Sequence, residues 1–410
     1  MTLDESNPVP NAGLLPAAVL AERLGLAELI DSRLHLARHG GNSGTKALSV
    51  VGSMLAGGDW IDDVAVLRVG AAGELFDATR APSTVGSWLR AHKWSNVRQL
   101  DAISRELLGR LWAAGAGPAD LAGPLTIDLD STIVEVQGRK KQGAAFGYTG
   151  VRGYHPQLAT CAQTGQVLMC RLRGGSAGAA RGAKSFLTET VSRVRAAAAT
   201  GPLVVRADSA FYSKSVLATA VKFDVRFSVT ARQDKRIRAA IEQIDEAAWQ
   251  PIPYWLSSPE VSGADVAETS YTAFTGRDAM PVRLIVRRVR PTPGLQLALF
   301  TTWSYHAFVT NRTGGMLELE ADHRRHALVE QRGARSRAVG GCRRRPVCAR
   351  RACAARFSPS PGSPLPTRRP GPWRSRRTGD RSMPRSATAA VPATGKIIRS
   401  RHQDRRWIRG

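Results

Sequence analysis

The chain has 410 residues, 43% of them hydrophobic, with 59 Lys+Arg against 33 Asp+Glu and a formal net charge of +26. That length holds two or three domains with a sizeable core, and the charge points to a polyanionic partner. No apolar run approaches the roughly 18 residues that cross a membrane, Met1 to Pro10 lacks the basic start and apolar stretch of a secretory signal, and the five cysteines lack C-x-x-C spacing and fit a reducing cytoplasm.

Residues 1–120 read as a nearly neutral helical domain. Leu14, Leu15, Val19, Leu20, Leu24 and Leu26 recur at helical spacing, as do Leu100, Ile103, Leu107 and Leu111. Between them, Ser83 or Thr84 is expected to cap a short helix ending near Lys93. Arg90, Lys93 and Arg98 could then lie on DNA phosphates. An ordinary helical bundle with scattered surface charge fits the same pattern, since no helix-turn-helix signature stands out.

The period changes at Leu125. Leu125-Thr126-Ile127-Asp128-Leu129-Asp130 alternates apolar and polar residues, as a half-buried strand does. Strands are expected at 154–161 and 166–172, joined by the turn Gln163-Thr164-Gly165. A helix follows over 183–198 with Phe186, Leu187, Val191 and Val194 inward. Leu203-Val204-Val205 is a buried strand leading to Asp208, and a helix near 214–222 and a strand near 225–230 come next. Three strands, helix, strand, helix, strand is the connectivity of an RNase H-like α/β fold. Residues 121–231 therefore read as the first part of such a core and 232–302 as a mostly β insertion with strands at 282–289 and 295–302. Residues 303–331 read as the rest of the core, with a helix that starts near Leu317 and carries Glu330.

Four acids stand out in this layout. Asp128 and Asp130 are two apart on one strand and share a face. Asp208 ends a second apolar strand, where ligand sites gather in α/β sheets. Each also has an ordinary reading: a solvated strand face for Asp128 and Asp130, a helix N-cap for Asp208, an exposed helical acid for Glu330. Together they suit two-metal phosphoryl transfer, because Mg²⁺ takes hard oxygen ligands and two ions about 3.5–4 Å apart can serve both the attacking and the leaving oxygen.

Asp128-Leu129-Asp130-Ser131-Thr132, Arg206-Ala207-Asp208-Ser209 and His323-Arg324-Arg325-His326-Ala327-Leu328-Val329-Glu330 resemble the three acidic motifs of bacterial insertion-sequence DDE transposases. The run from Gly147 to Pro156, and Phe300-Thr301-Thr302-Trp303 with Tyr305 to Thr310, are similar to insertion-sequence family thirteen-eighty. The resemblance spans roughly residues 10–330. It implies a transposase that cleaves and joins DNA at terminal inverted repeats as a homodimer, nucleoid-associated and without a membrane role. It implies two Mg²⁺ or Mn²⁺ ions held by the catalytic acids Asp130, Asp208 and Glu330, with Asp128 a neighbour or a further ligand. Related enzymes carry a Tyr and an Arg where His323 and His326 stand, and a Lys where Arg337 stands. The two histidines, with Arg206, Lys140 and Lys141, are thus candidate DNA contacts. An RNase H-like nuclease without strand transfer, a non-catalytic DNA-binding protein, and a zinc hydrolase using His323 and His326 are the alternatives.

The resemblance fades after Glu330 or Gln331. Residues 331–410 hold 21 Arg, one Lys, two Asp and nine of the 23 prolines, a net charge of +20, which leaves +6 on the first 330 residues. Only eight of those 80 are Leu, Ile, Val or Phe, too few for a packed domain. Residues 332–410 are expected to be a disordered Arg/Pro-rich tail read out of frame, leaving this copy truncated or impaired. A genuine basic DNA-binding tail is the alternative.

Overall fold

The computed structural model describes residues 11–69, 79–137, 141–252, 263–290 and 303–327, all within one compact unit, Met1–Arg344. Lys140, Glu330, the strand expected at 295–302, Arg337 and the tail lie outside the described residues.

The N-terminal part is helical, as expected: α1 (Leu15–Arg23), α2 (Leu26–Arg33), α3 (Ser43–Leu55), α4 (Pro82–Arg90) and α5 (Trp94–Leu111). Leu29, Ile30, Leu34, Trp88 and Ile103 bury their side chains together between α2, α4 and α5. The start of α4 differs from the sequence reading. Ala81 is the N-cap and Pro82 the first helical residue, because proline's fixed φ and missing N–H suit that position. Ser83 and Thr84 consequently lie inside the helix. Arg90, Lys93 and Arg98 are exposed.

The rest is built on a nine-stranded mixed sheet. Its strands are β1 (Leu125–Ser131), β5 (Gln157–Cys161), β6 (Val167–Arg171), β7 (Leu203–Ala207), β8 (Val225–Thr230), β9 (Gln250–Ile252), β10 (Ala264–Ala273), β11 (Met280–Val289) and β12 (Ser304–Thr310). Their order is β6-β5-β1-β7-β8-β12-β11-β10-β9. The first five form the RNase H-like core, with β5 antiparallel to β1 and with β1, β7 and β8 mutually parallel. The helices α6 (Ala183–Ala196), α7 (Lys214–Lys222) and α8 (Lys235–Glu242) complete it.

Side-chain alternation gives the sheet two distinct faces. On one, Ile127, Leu129, Val205, Ala207, Phe227 and Val229 meet Phe186, Leu187 and Val194 of α6 and Leu217 of α7 in the main core. On the other stand Asp128, Arg206, Ser228 and Thr310, in mutual register across β1, β7, β8 and β12, with Phe308 two residues before Thr310 on the same face. This second face is covered by α9 (Met316–Arg324), whose Leu319 packs on Val266, Ile285 and Phe308.

Two further features complete the fold. The stretch 232–302, read as a mostly β insertion, carries β9, β10 and β11. They extend the core sheet, because β12 pairs with β8 and brings β11, β10 and β9 behind it. A short second sheet, β2 (Val134–Glu135), β3 (Ala145–Phe146) and β4 (Arg152–Tyr154), is formed by the motif around Gly153. A side chain at Gly153 would place its Cβ 2.3 Å from the Val134 carbonyl oxygen, so only glycine permits that approach. Among the described residues no helix is long and apolar enough to cross a membrane.

Candidate active site

Asp130 and Asp208 are brought together by the strand register. The last paired positions of β1 and β7 are Leu129 and Ala207, so Asp130 and Asp208 stand one residue further at the same end of two neighbouring parallel strands. Adjacent strands lie roughly 4.8 Å apart, and the Asp130 side chain projects to the face that carries Asp128. Asp130 is 9% exposed and Asp208 half-buried, so the pair opens outward at the strand ends. Each carboxylate is oriented by a local backbone bond. Asp130 Oδ1 accepts from the Ser131 N–H at 2.6 Å, and Asp208 Oδ1 from the Ala210 N–H at 3.0 Å. Asp208 therefore also caps the short helical turn Ser209–Phe211. The capping reading and the ligand reading describe the same residue.

The donor set suits a hard divalent cation: neighbouring carboxylates at the ends of two parallel strands. Mg²⁺ commonly takes one or two carboxylates and completes its shell with water and substrate phosphate.

Asp128 has a different environment. It is 1% exposed, and both its oxygens are taken by Arg206: Nε donates to Oδ1 at 2.7 Å and Nη2 to Oδ2 at 2.8 Å. His326 Nδ1 lies 3.1 Å from the same Oδ1. Burial alone would push the Asp128 carboxyl up, but the hydrogen bonds from His326 and Arg206 outweigh it and hold the carboxyl below its ordinary range. Arg206 Nη1 reaches on to Asp322, at 3.0 Å from Oδ1 and 2.5 Å from the backbone oxygen, and Arg312 also binds the Asp322 carboxylate.

The expected DNA contacts are placed differently from one another. Lys141 is exposed. Arg206 is 3% exposed and His326 7%, with their polar groups turned inward to Asp128, so neither presents itself to a duplex. His323 is half-buried. Its ring bonds Ser228 Oγ at 2.8 Å and Thr230 Oγ1 at 3.1 Å, and stacks on Phe308 with centroids 4.1 Å apart. The helix expected to start near Leu317 is interrupted within the described residues: α9 ends at Arg324, Arg325–His326 form a turn, and Ala327 is helical again. His323 and His326 therefore do not share one continuous helical face. Asp322, Arg312, Glu320 and Arg287 are the functional-site neighbours that sequence reasoning missed. Glu320 is buried and pairs with Arg287 at 2.7 Å, and an acid at helical spacing gives no sign of which face it buries.

Burial, followed by the neighbouring charges of His326, Arg206, Arg287 and Arg312, lowers the His323 pKa well below its ordinary value. The folded protein thus keeps this imidazole neutral, while the unfolded chain takes up a proton near pH 6.5. The stability it contributes is complete above that pH and declines as pH falls toward the folded-state pKa, at up to about 1.4 kcal/mol per pH unit. Urea unfolding between pH 7 and 5.5 should show this decline in the wild type and a shallower one in His323→Gln. Equal slopes would contradict the assignment.

The model of the family described as transposase DDE domain group 1 matches residues 7–337. The chain belongs to this family. Its members catalyse phosphoryl transfer on DNA and generally use divalent metal ions, and the protein is accordingly a DDE transposase acting in DNA transposition. The match continues six residues beyond Gln331 and closes at Arg337. Among solved structures, the chain is similar to a piggyBac transposase in a synaptic complex with hairpin DNA, at 11% identity and TM-score 0.41, over 77% of this chain and 68% of that one. No curated protein matches.

Proposed function

We propose that Asp130, Asp208 and Glu330 are the catalytic acids of this transposase and hold two Mg²⁺ or Mn²⁺ ions. The observation that carries the reading is the placement of Asp130 and Asp208 side by side beyond the Leu129–Ala207 pair. Glu330 enters by its motif. When bound, divalent ions supply Lewis-acid activation of the attacking oxygen and charge neutralisation at the leaving one. The protein's part is to present fixed carboxylates. Ser131 and Ala210 hold one oxygen of each in place through their N–H groups, so little reorganisation is needed when the substrate phosphate arrives. Asp128, with its two oxygens on a guanidinium, serves the site from behind.

The substrate is double-stranded DNA at the terminal inverted repeats of the element, bound by a homodimer in a nucleoid-associated, cytoplasmic setting. Exposed Lys141 and the exposed basic residues of α4 and α5 are suited to the phosphate backbone. The Arg/Pro-rich residues 332–410 are read as out of frame, so this copy is impaired. The test is incubation of labelled element ends with Mg²⁺ or Mn²⁺, using the chain as given and a version with the frame after residue 331 restored. Metal-dependent nicking at the element end followed by joining is expected, stronger in the restored version. Cleavage without joining would favour a nuclease. A nucleotide sequence in which neither shifted frame continues the family pattern would remove the frameshift.

A further inference from the structure

Asp128, Arg206 and His326 stand at related places in the chain. Asp128 lies two residues before Asp130, Arg206 two before Asp208, and His326 four before Glu330. Their side chains meet in one buried cluster, with the Asp128 carboxylate held by the Arg206 fork at 2.7 and 2.8 Å and by His326 at 3.1 Å. From this convergence we infer that the three are positioning residues, which together fix the relative placement of the three acid-bearing segments. The inference rests on the assignment of Asp130, Asp208 and Glu330 above.

Residues two apart on a strand project to the same face and move together. A shift or roll of β1 that displaced Asp128 would carry Asp130 with it, and a shift of Arg206 on β7 would carry Asp208, one residue beyond the strand's end. Backbone pairing sets the register of the two strands but leaves side-chain direction free. The bidentate guanidinium–carboxylate fork adds directional constraint on top of it. α9 and the turn that follows it are tied to the same point, α9 through Asp322 and the turn through His326. Burial keeps water from competing for these bonds, so the cluster holds one geometry.

Charge separates positioning from ligation. The Arg206 guanidinium already neutralises both oxygens of Asp128, and a divalent ion there would face a fixed cation at hydrogen-bond distance. Ligands oriented by such outer partners typically lose about 10–100-fold in metal affinity when the partner is removed.

The test measures Mn²⁺ binding to the full chain by calorimetry, with thermal unfolding recorded on every variant. His326→Ala should raise the Mn²⁺ dissociation constant about tenfold or more. His326→Asn, whose amide nitrogen can stand where Nδ1 does, should stay within about threefold of wild type. Arg206→Lys keeps the charge but loses the fork, so it should weaken binding even if His326→Ala does not fold. Stoichiometry should be unchanged in each. Folded variants that bind Mn²⁺ as wild type does, or an Asn variant as impaired as the Ala one, would overturn the inference. Asp130→Asn separates the two levels. If it weakens binding while the cluster variants do not, only the positioning role fails. If it too binds normally, or if the wild type binds no Mn²⁺, the assignment of the acids fails.

Discussion

Asp130→Asn and Asp208→Asn are each expected to abolish metal-dependent cleavage of element ends while leaving DNA binding nearly unchanged. Replacing a ligand carboxylate by a neutral amide keeps the shape and removes the charge that holds the cation. Loss of transition-state stabilisation of about 4 kcal/mol corresponds to roughly a thousandfold in rate. The backbone bonds from Ser131 and Ala210 can still be accepted by an amide oxygen, so the fold should survive, and the measurement is end cleavage alongside a gel-shift of the same DNA. Asp128→Asn should be milder, because its carboxylate serves Arg206 and His326. A variant at Asp130 or Asp208 that cleaves at the wild-type rate would remove that residue from the site.

Arg206→Met is expected to destabilise the protein by about 3–5 kcal/mol, because it strands a carboxylate that is 1% exposed. The second change Asp128→Leu should recover most of that loss, since a buried ion pair replaced as a whole by apolar residues is often neutral. Urea unfolding of both single variants and the double variant gives the coupling directly. The pair's contribution is also pH-dependent. With the Asp128 carboxyl held below its ordinary range, the stabilisation is complete above about pH 4 and is lost as pH falls through the folded-state value. An Arg206→Met variant within about 1 kcal/mol of wild type would show that the cluster is not a structural clamp.

Much of the core could be read from the chain because its elements are locally consistent. The alternation in Leu125–Ser131, the apolar run Leu203–Ala207 and the inward stripe of Ala183–Ala196 each match the periodicity of the element they form. Asp130 and Asp208 were legible for the same reason, as polar endings of apolar strands. β10 was harder to see: Ala264–Ala273 mixes Asp, Glu, Ser and Thr among its apolar positions and follows a proline-rich stretch. β12 was masked in the sequence by its His and Tyr residues, although Ala307 and Val309 are core residues and Phe308 buries itself under Leu319. The Arg206–Asp128 pair joins residues 78 apart in sequence, and no local pattern announces a pairing made only by strand order. Nor does spacing reveal that α9 stops at Arg324, since His326 leaves the helix to reach Asp128.

The most direct test of the central claim is anomalous scattering from crystals of the chain soaked in Mn²⁺. The predicted result is a manganese peak bridging the carboxylates of Asp130 and Asp208, on the open side away from Arg206. A peak elsewhere with none at this pair, or a peak whose ligands include Asp128 in place of Asp208, would contradict it.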